Sequence, residues 1–190
     1  AEESTSRGRR YRAVTRSGAV LRVTVLDRDL EGAGLVSAIW NAVRLRTDNG
    51  RGAFNMRSYV DHTALASYAG QAAGAPMPRL LLATEIGPDS SLLAYEYLDG
   101  TLFSDLTDLT DADLEGAWRA VRTLQEHQIA HRQLSARHLL RATDGSIWIV
   151  GQDAGTIAAS DVALRIDLSE LLCTLALCTD AERAVRTGRQ

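Results

Sequence analysis

Two kinds of apolar periodicity divide this chain, and their order constrains the fold more than any single residue does. β-Prone runs fill most of the stretch before Asp99-Gly100, and helix-spaced runs dominate after it. Tyr11 to Thr15 and Val20 to Leu26 flank Arg16-Ser17-Gly18, a turn signal, and so predict a hairpin. Leu80 to Ala83 and Leu92 to Tyr97, separated by Gly87-Pro88-Asp89, predict two more strands of the same sheet. Between these pairs Leu35, Ile39, Trp40, Val43 and Leu45 recur at near-helical spacing, and Thr47 to Ser58 reads as a loop. Tyr59 to Ala73 then predicts a helix stopped by Gly74 and Pro76.

Asp99-Gly100 reads as a hinge. Beyond it Asp111 or Asp113 caps a predicted helix from Leu114 to about His127, whose Leu114, Trp118, Val121 and Leu124 keep a three-to-four spacing. Leu139-Leu140 and Ile147 to Val150 flank Thr143-Asp144-Gly145, a second hairpin signal, and Leu164 to Leu177 predicts a strongly apolar, buried helix. These patterns define an α+β chain of one domain with two lobes: residues 1-10 as a flexible lead, 11-98 as sheet plus helices, 99-190 mainly helical. At 190 residues, 45% hydrophobic and 24% charged, it is long enough to bury a core.

Composition excludes several function classes. A net charge of -3 gives no reason to expect a nucleic-acid partner. Arg7, Arg9, Arg10 and Arg12 form a small basic cluster that reads as a solvated arm, with a juxtamembrane or acidic-partner contact as the lesser alternative. No apolar run reaches the roughly 18 to 20 residues of a membrane span, so direct membrane insertion by this chain is not expected. Cys173 and Cys178 have no companions at metal-ligand spacing and read as buried free thiols of a reducing compartment. All 21 basic residues are arginine, so Schiff-base and phosphate-loop lysine chemistry are absent by inventory.

Leu124 to Leu134 resembles the end of a long helix and the catalytic loop of protein kinases, which reads H-R-D-L-x-x-x-N. His131, Arg132 and Leu134 match, whereas Gln133 stands where the family has the Asp and His138 where it has the Asn. Read without a gap, the following hairpin brings Gly151-Gln152-Asp153 to the place of D-F-G, so that Gly151 replaces the metal-binding Asp. A rival register, slipped by two, uses Asp153-Ala154-Gly155. Leu21 to Leu26 resembles the strand ending V-A-I-K, with Thr24 in the lysine position, and the lysine's acidic partner maps to Thr63 in Asp61 to Leu65. Ala94 to Gly100 is similar to the last strand and hinge of the kinase N-lobe, which puts Glu96 and Tyr97, with Asp153, at a vestigial nucleotide cleft. Arg165-Ile166-Asp167-Leu168 resembles the structural Asp that opens the buried C-lobe helix and bonds the catalytic-loop backbone. Gly151 and Asp167 are only 16 positions apart, an interval closer to small-molecule and antibiotic kinases than to protein kinases.

The resemblance implies a protein-kinase-like two-lobe fold, with an antiparallel sheet N-lobe and a reduced, mainly helical C-lobe. At the four degenerate catalytic positions it implies Thr24, Gln133, His138 and Gly151, none with a fixed charge, hence no catalysis, no metal and no cofactor. His131, Arg132 and Asp167 become structural, with Arg132 expected to pair with a local carboxylate; Trp40, Trp118 and Trp148 read as core anchors. His138 as a metal ligand would have only Asp153 and His127 for company. The alternative is an unorthodox small-molecule or lipid phosphotransferase using Asp153 as metal ligand; a third reading is a sensory domain for a non-nucleotide ligand.

The order from Tyr11 onward also resembles the N-terminal kinase-like regions of large bacterial integral membrane proteins with a flippase-like or lysyl-phosphatidylglycerol-synthase-like transmembrane part. Val23-Thr24-Val25-Leu26-Asp27-Arg28-Asp29, Trp40 and Asp167-Leu168 carry that likeness. It implies a regulatory domain at the cytoplasmic face of the membrane, whose partner is another protein or the transmembrane part of the same polypeptide.

Overall fold

Strands form where β-branched and apolar residues alternate, and the first of two compact units is built from them. The computed structural model describes residues 3–5, 8–27, 56–87, 90–151 and 154–189; the helix expected around Trp40 and most of the Thr47–Ser58 loop lie outside the described residues. One unit takes Ala1–Asp61 and Leu80–Tyr97, the other His62–Arg79 and Leu98–Gln190. The architecture is mixed α+β, with antiparallel sheets.

In the first unit β1 (Glu3–Thr5), β2 (Gly8–Val14), β3 (Val20–Asp27), β4 (Leu80–Gly87) and β5 (Ser90–Glu96) form one antiparallel sheet in the order β1-β2-β3-β5-β4. Two stretches expected within the flexible lead are paired strand: Ser4 lies opposite Arg9, and β2 begins at Gly8. The β2–β3 turn closes through Thr15, whose N–H donates to the Ala19 carbonyl (2.8 Å) and whose hydroxyl accepts the Ala19 N–H (3.0 Å). Thr24 pairs with Leu93 and Leu80 with Tyr95, so one face of the sheet gathers the buried Thr24, Leu26, Leu80, Leu93 and Tyr95. On the outermost strand β4, register shifts at Leu80/Leu82 and Glu85/Gly87 break the alternation and leave Leu81, Leu82 and Ile86 exposed.

Helix α1 (Met56–Ala72) starts three residues before the predicted Tyr59 and runs from one unit into the other. Its Thr63, Ala66, Ser67 and Gly70 are buried at three-to-four spacing. The rest of the second unit comprises α2 (Asp111–Glu126), α3 (Asp161–Cys178), α4 (Ala181–Gly188) and a sheet ordered β6 (Gly100–Leu102), β7 (Leu139–Ala142), β8 (Ile147–Ile149). Only glycine fits at the start of β6, because a Cβ on Gly100 would stand 2.4 Å from the Arg141 carbonyl oxygen.

The cap of α2 is Thr110, not Asp111 or Asp113 as the sequence suggested. Asp113 instead closes a capping box, taking the Thr110 N–H at 2.8 Å, and Arg141 ties it to β7 at 3.1 Å. Asp111 reaches across to α4, where Arg183 and Arg186 hold its carboxyl below the usual carboxylate range. Leu114, Ala117, Val121 and Leu124 face a core shared with Phe103, Ile129, Leu134, Leu139, Ile149, Leu171 and Leu175. Trp118 is buried and donates its indole N–H to Ala184 O (3.2 Å), whereas Trp148 is half-buried and bonds the Ser146 hydroxyl at 2.8 Å, so it is no core anchor.

Helix α3 departs from its expected burial. Leu164, Asp167, Leu171 and Leu175 face inward, but Leu177 is 88% exposed and Cys173 is exposed as well. A helix apolar on nearly every side carries no pattern to show which stripe packs: the one at 164, 167, 171 and 175 is fully buried, with Leu168, Leu172, Ala176 and Cys178 partly buried beside it. Both cysteines are free; half-burial pushes the Cys178 thiol up. Among the described residues no helix is long and apolar enough to cross a membrane.

Candidate functional site

The segment most densely held by side chains is the loop that follows α2. Helix α2 ends in a Schellman turn: the Ile129 N–H reaches the Leu124 carbonyl (2.9 Å), the Gln128 N–H the Gln125 carbonyl (2.9 Å), and Gln128 takes a left-handed φ of 55°. Ala130 then exchanges backbone bonds with Thr156 (2.9 and 2.8 Å), which fixes where His131 begins the loop.

One face of α3 grips that loop. The buried Asp167 carboxylate accepts the N–H of His131 (2.5 Å) and of Arg132 (2.8 Å); one turn on, Glu170 accepts the Leu134 N–H (3.1 Å), and the Thr174 hydroxyl donates to the Leu134 carbonyl (2.6 Å). Positions 167, 170 and 174 share a face by helical geometry, so three side chains of one helix secure the backbone donors of His131, Arg132 and Leu134 and one acceptor. The grip holds Arg132 at φ 65°, a left-handed conformation that costs a non-glycine residue about 1 kcal/mol or more. Burial is the largest influence on Asp167 and pushes its carboxyl up to about 6; the two N–H donors pull against it, and it stays ionised at neutral pH.

His131 is buried under this loop; among the described residues neither ring nitrogen has a partner at full hydrogen-bond geometry, although the Val150 and Gln133 backbone acts weakly on the ring. Desolvation, aided by the neighbouring His138 ring, drives its pKa down to about 3, so the imidazole is neutral and unavailable as an acid at physiological pH. The His131 and His138 rings meet edge to face at 5.5 Å, and the His138 Nδ1 shares a 2.9 Å hydrogen bond with the Ser135 hydroxyl. Gly151 packs onto the other side of His138: its φ is 79°, and a Cβ there would lie 2.6 Å from the His138 Cδ2 atom. A side chain of the size of Asp has no room at Gly151 while His138 keeps this position.

The structure thus brings His131, Arg132, Gln133, His138, Gly151 and Asp167 into one cluster of the second unit. Among the described residues the side chain of Arg132 makes no ion pair; it is exposed, and its hydrogen bond to Asp167 runs through its backbone N–H. Thr24 is buried on β3 of the other unit, where Glu96 ends β5 and Tyr97 follows. Thr63 is buried in α1, and among the described residues its hydroxyl has no hydrogen-bond partner. Asp153 and Gln152 lie outside the described residues. Among the described residues no three His, Cys, Asp or Glu side chains are grouped to hold a metal ion.

Sequence reasoning missed Glu170, Thr174 and Ser135. For the first two a faint signal was there: Asp167, Glu170 and Thr174 are polar residues at i, i+3 and i+7 on one face of a largely apolar helix. It also missed His62, whose Nε2 lies 2.7 Å from the Gly155 carbonyl oxygen and so ties α1 to the segment after β8. No protein-family model and no curated protein matches the chain.

Proposed function

We propose that this chain is a kinase-like module that has given up phosphoryl transfer and acts by binding, a pseudokinase of two-lobe α+β architecture. The observation that carries the reading is the grip of Asp167 on the His131 and Arg132 N–H groups, which keeps a loop in shape, while Gln133 and His138 of that loop and Gly151 beside it hold no fixed charge. Phosphoryl transfer depends on charge neutralisation by metal-binding carboxylates and a cation, and on a base to receive a proton. Glutamine can orient a hydroxyl but takes no proton, and the close packing of His138 against Gly151 leaves no space for a carboxylate there.

The setting we propose is the cytoplasmic face of a membrane, as a regulatory part of a larger membrane protein, engaging either the transmembrane part or a separate protein partner. Its support is the sequence likeness at Val23 to Asp29, Trp40 and Asp167-Leu168.

Thermal unfolding with ATP and magnesium tests the loss of nucleotide chemistry. A ligand at a hundredfold its Kd stabilises a fold by about 2.7 kcal/mol, so binding of any useful strength shows as a shift. No magnesium-dependent shift is expected. A clear one, abolished by Asp153→Ala, would replace this reading with the phosphotransferase.

A further inference from the structure

On β2 and β3, neighbouring strands of the first unit, two arginines meet with no counter-charge among the described residues. Arg12 of β2 and Arg22 of β3 are direct cross-strand partners, and like charges in that relation repel. Both guanidinium groups lie against one ring: Arg12 is 4.8 Å from the Tyr97 centroid and Arg22 is 6.0 Å from it. Among the described residues neither side chain makes an ion pair or a hydrogen bond, whereas Arg9 and Arg10 nearby have partners of their own. The chain as a whole is acidic, with a net charge of -3, so this pairing is not a by-product of a basic composition.

We infer that Arg12, Arg22 and Tyr97 form a phosphate-binding clamp. The aromatic ring holds both guanidinium groups close to it before any ligand arrives, which lowers the entropy lost on binding. A terminal phosphate offers three oxygens and up to two negative charges; it satisfies both forks and cancels the repulsion between them. A carboxylate, with two oxygens and one charge, satisfies one fork. The ligand is therefore a phosphate group, free or on a lipid headgroup. This inference goes beyond the proposed loss of phosphoryl transfer and does not rest on it, since Arg12, Arg22 and Tyr97 belong to a different part of the chain from the 131–138 loop.

The experiment uses the full 190-residue chain. Inorganic phosphate is titrated while the NMR signals of the arginine Nε–H groups are followed, and vesicles of phosphatidylcholine with and without phosphatidic acid are tested by co-sedimentation. Saturable shifts at Arg12 and Arg22 with inorganic phosphate assign a free phosphate ligand; binding to phosphatidic acid vesicles alone assigns the headgroup. Either way Arg12→Gln and Arg22→Gln each weaken binding about tenfold, and Arg22→Lys, which keeps the charge but not the fork, weakens it measurably. Arg16→Gln, in the exposed turn of the same hairpin, leaves binding unchanged. The clamp is overturned if neither probe binds, if Arg16→Gln loses as much as Arg12→Gln, or if a glutamate-rich peptide binds as well as phosphate does.

Discussion

The loop at 131–134 and the sheet surface at Arg12 and Arg22 handle charge in opposite ways. In the loop a buried carboxylate meets two backbone N–H groups, a second carboxylate meets a third, and a hydroxyl takes the carbonyl. On the sheet two cations are paired across neighbouring strands, and both lie near one aromatic ring. Paired polar groups build shape, because the bonds they make lie inside the fold. Unsaturated ones leave interaction energy for something outside it, and the expected consequences of substitution differ accordingly.

The largest effect is expected in the loop. Asp167→Ala strands the His131 and Arg132 N–H groups and removes what holds Arg132 in its left-handed conformation. Each unpaired buried donor costs about 1 to 3 kcal/mol, so the variant should lose about 3 kcal/mol or more in urea unfolding. A loss under about 1 kcal/mol would break the comparison, since the loop would then keep its shape without the carboxylate.

The pH dependence of stability sharpens the same contrast. His131 sits at about 3 in the fold against an ordinary 6.5, so between those values the unfolded chain holds the extra proton and stability rises with pH. Asp167 sits at about 6 against 3.8, so between those values the fold holds the extra proton and stability falls as pH rises. Between about pH 4 and 6 the two slopes oppose each other at one proton each, and their sum is nearly flat. Asp111 and Asp144, both held below the ordinary carboxylate value by their partners, act below that window. His131→Leu removes the rising contribution alone. Its stability should fall from pH 4 to pH 6 by on the order of 2 kcal/mol, read from urea midpoints at each pH. A profile as flat as the parent's would mean that Asp167 is not the desolvated acid described.

How much of this could be read before the fold was known depends on where periodicity carries information. The β2–β3 hairpin and α2 were legible because alternation and three-to-four spacing are local, and Thr15 and Leu114 to Leu124 show them within a few residues. Asp167 could be singled out by its short motif, but which N–H groups it accepts depends on a contact across 35 and 36 positions. The outward face of α3 was illegible for a different reason: apolar residues all round the helix give no direction, so Cys173 and Leu177 looked as buried as Leu171. The early start of α1 at Met56 is a boundary error, in a segment whose polar residues suit loop and first helical turn alike. The Arg12–Tyr97–Arg22 stack joins residues from three places in the chain and has no local signature, although the basic run containing Arg12 was conspicuous.

The smallest effect is expected where charge is unsaturated. Arg12→Thr gives up an exposed cation–π contact, ordinarily about 0.5 to 1 kcal/mol, and relieves a cross-strand repulsion of similar size, while threonine suits a strand. The two changes offset, so in phosphate-free buffer the variant should unfold within about 0.5 kcal/mol of the parent. Salt separates the contributions. Raising ionic strength screens repulsion between exposed charges and leaves ring contacts nearly untouched, so the parent should gain stability with salt relative to Arg12→Thr. If Arg12→Thr instead cost as much as Asp167→Ala, the sheet arginines would be architectural too, and the division between a finished loop and an open sheet surface would collapse.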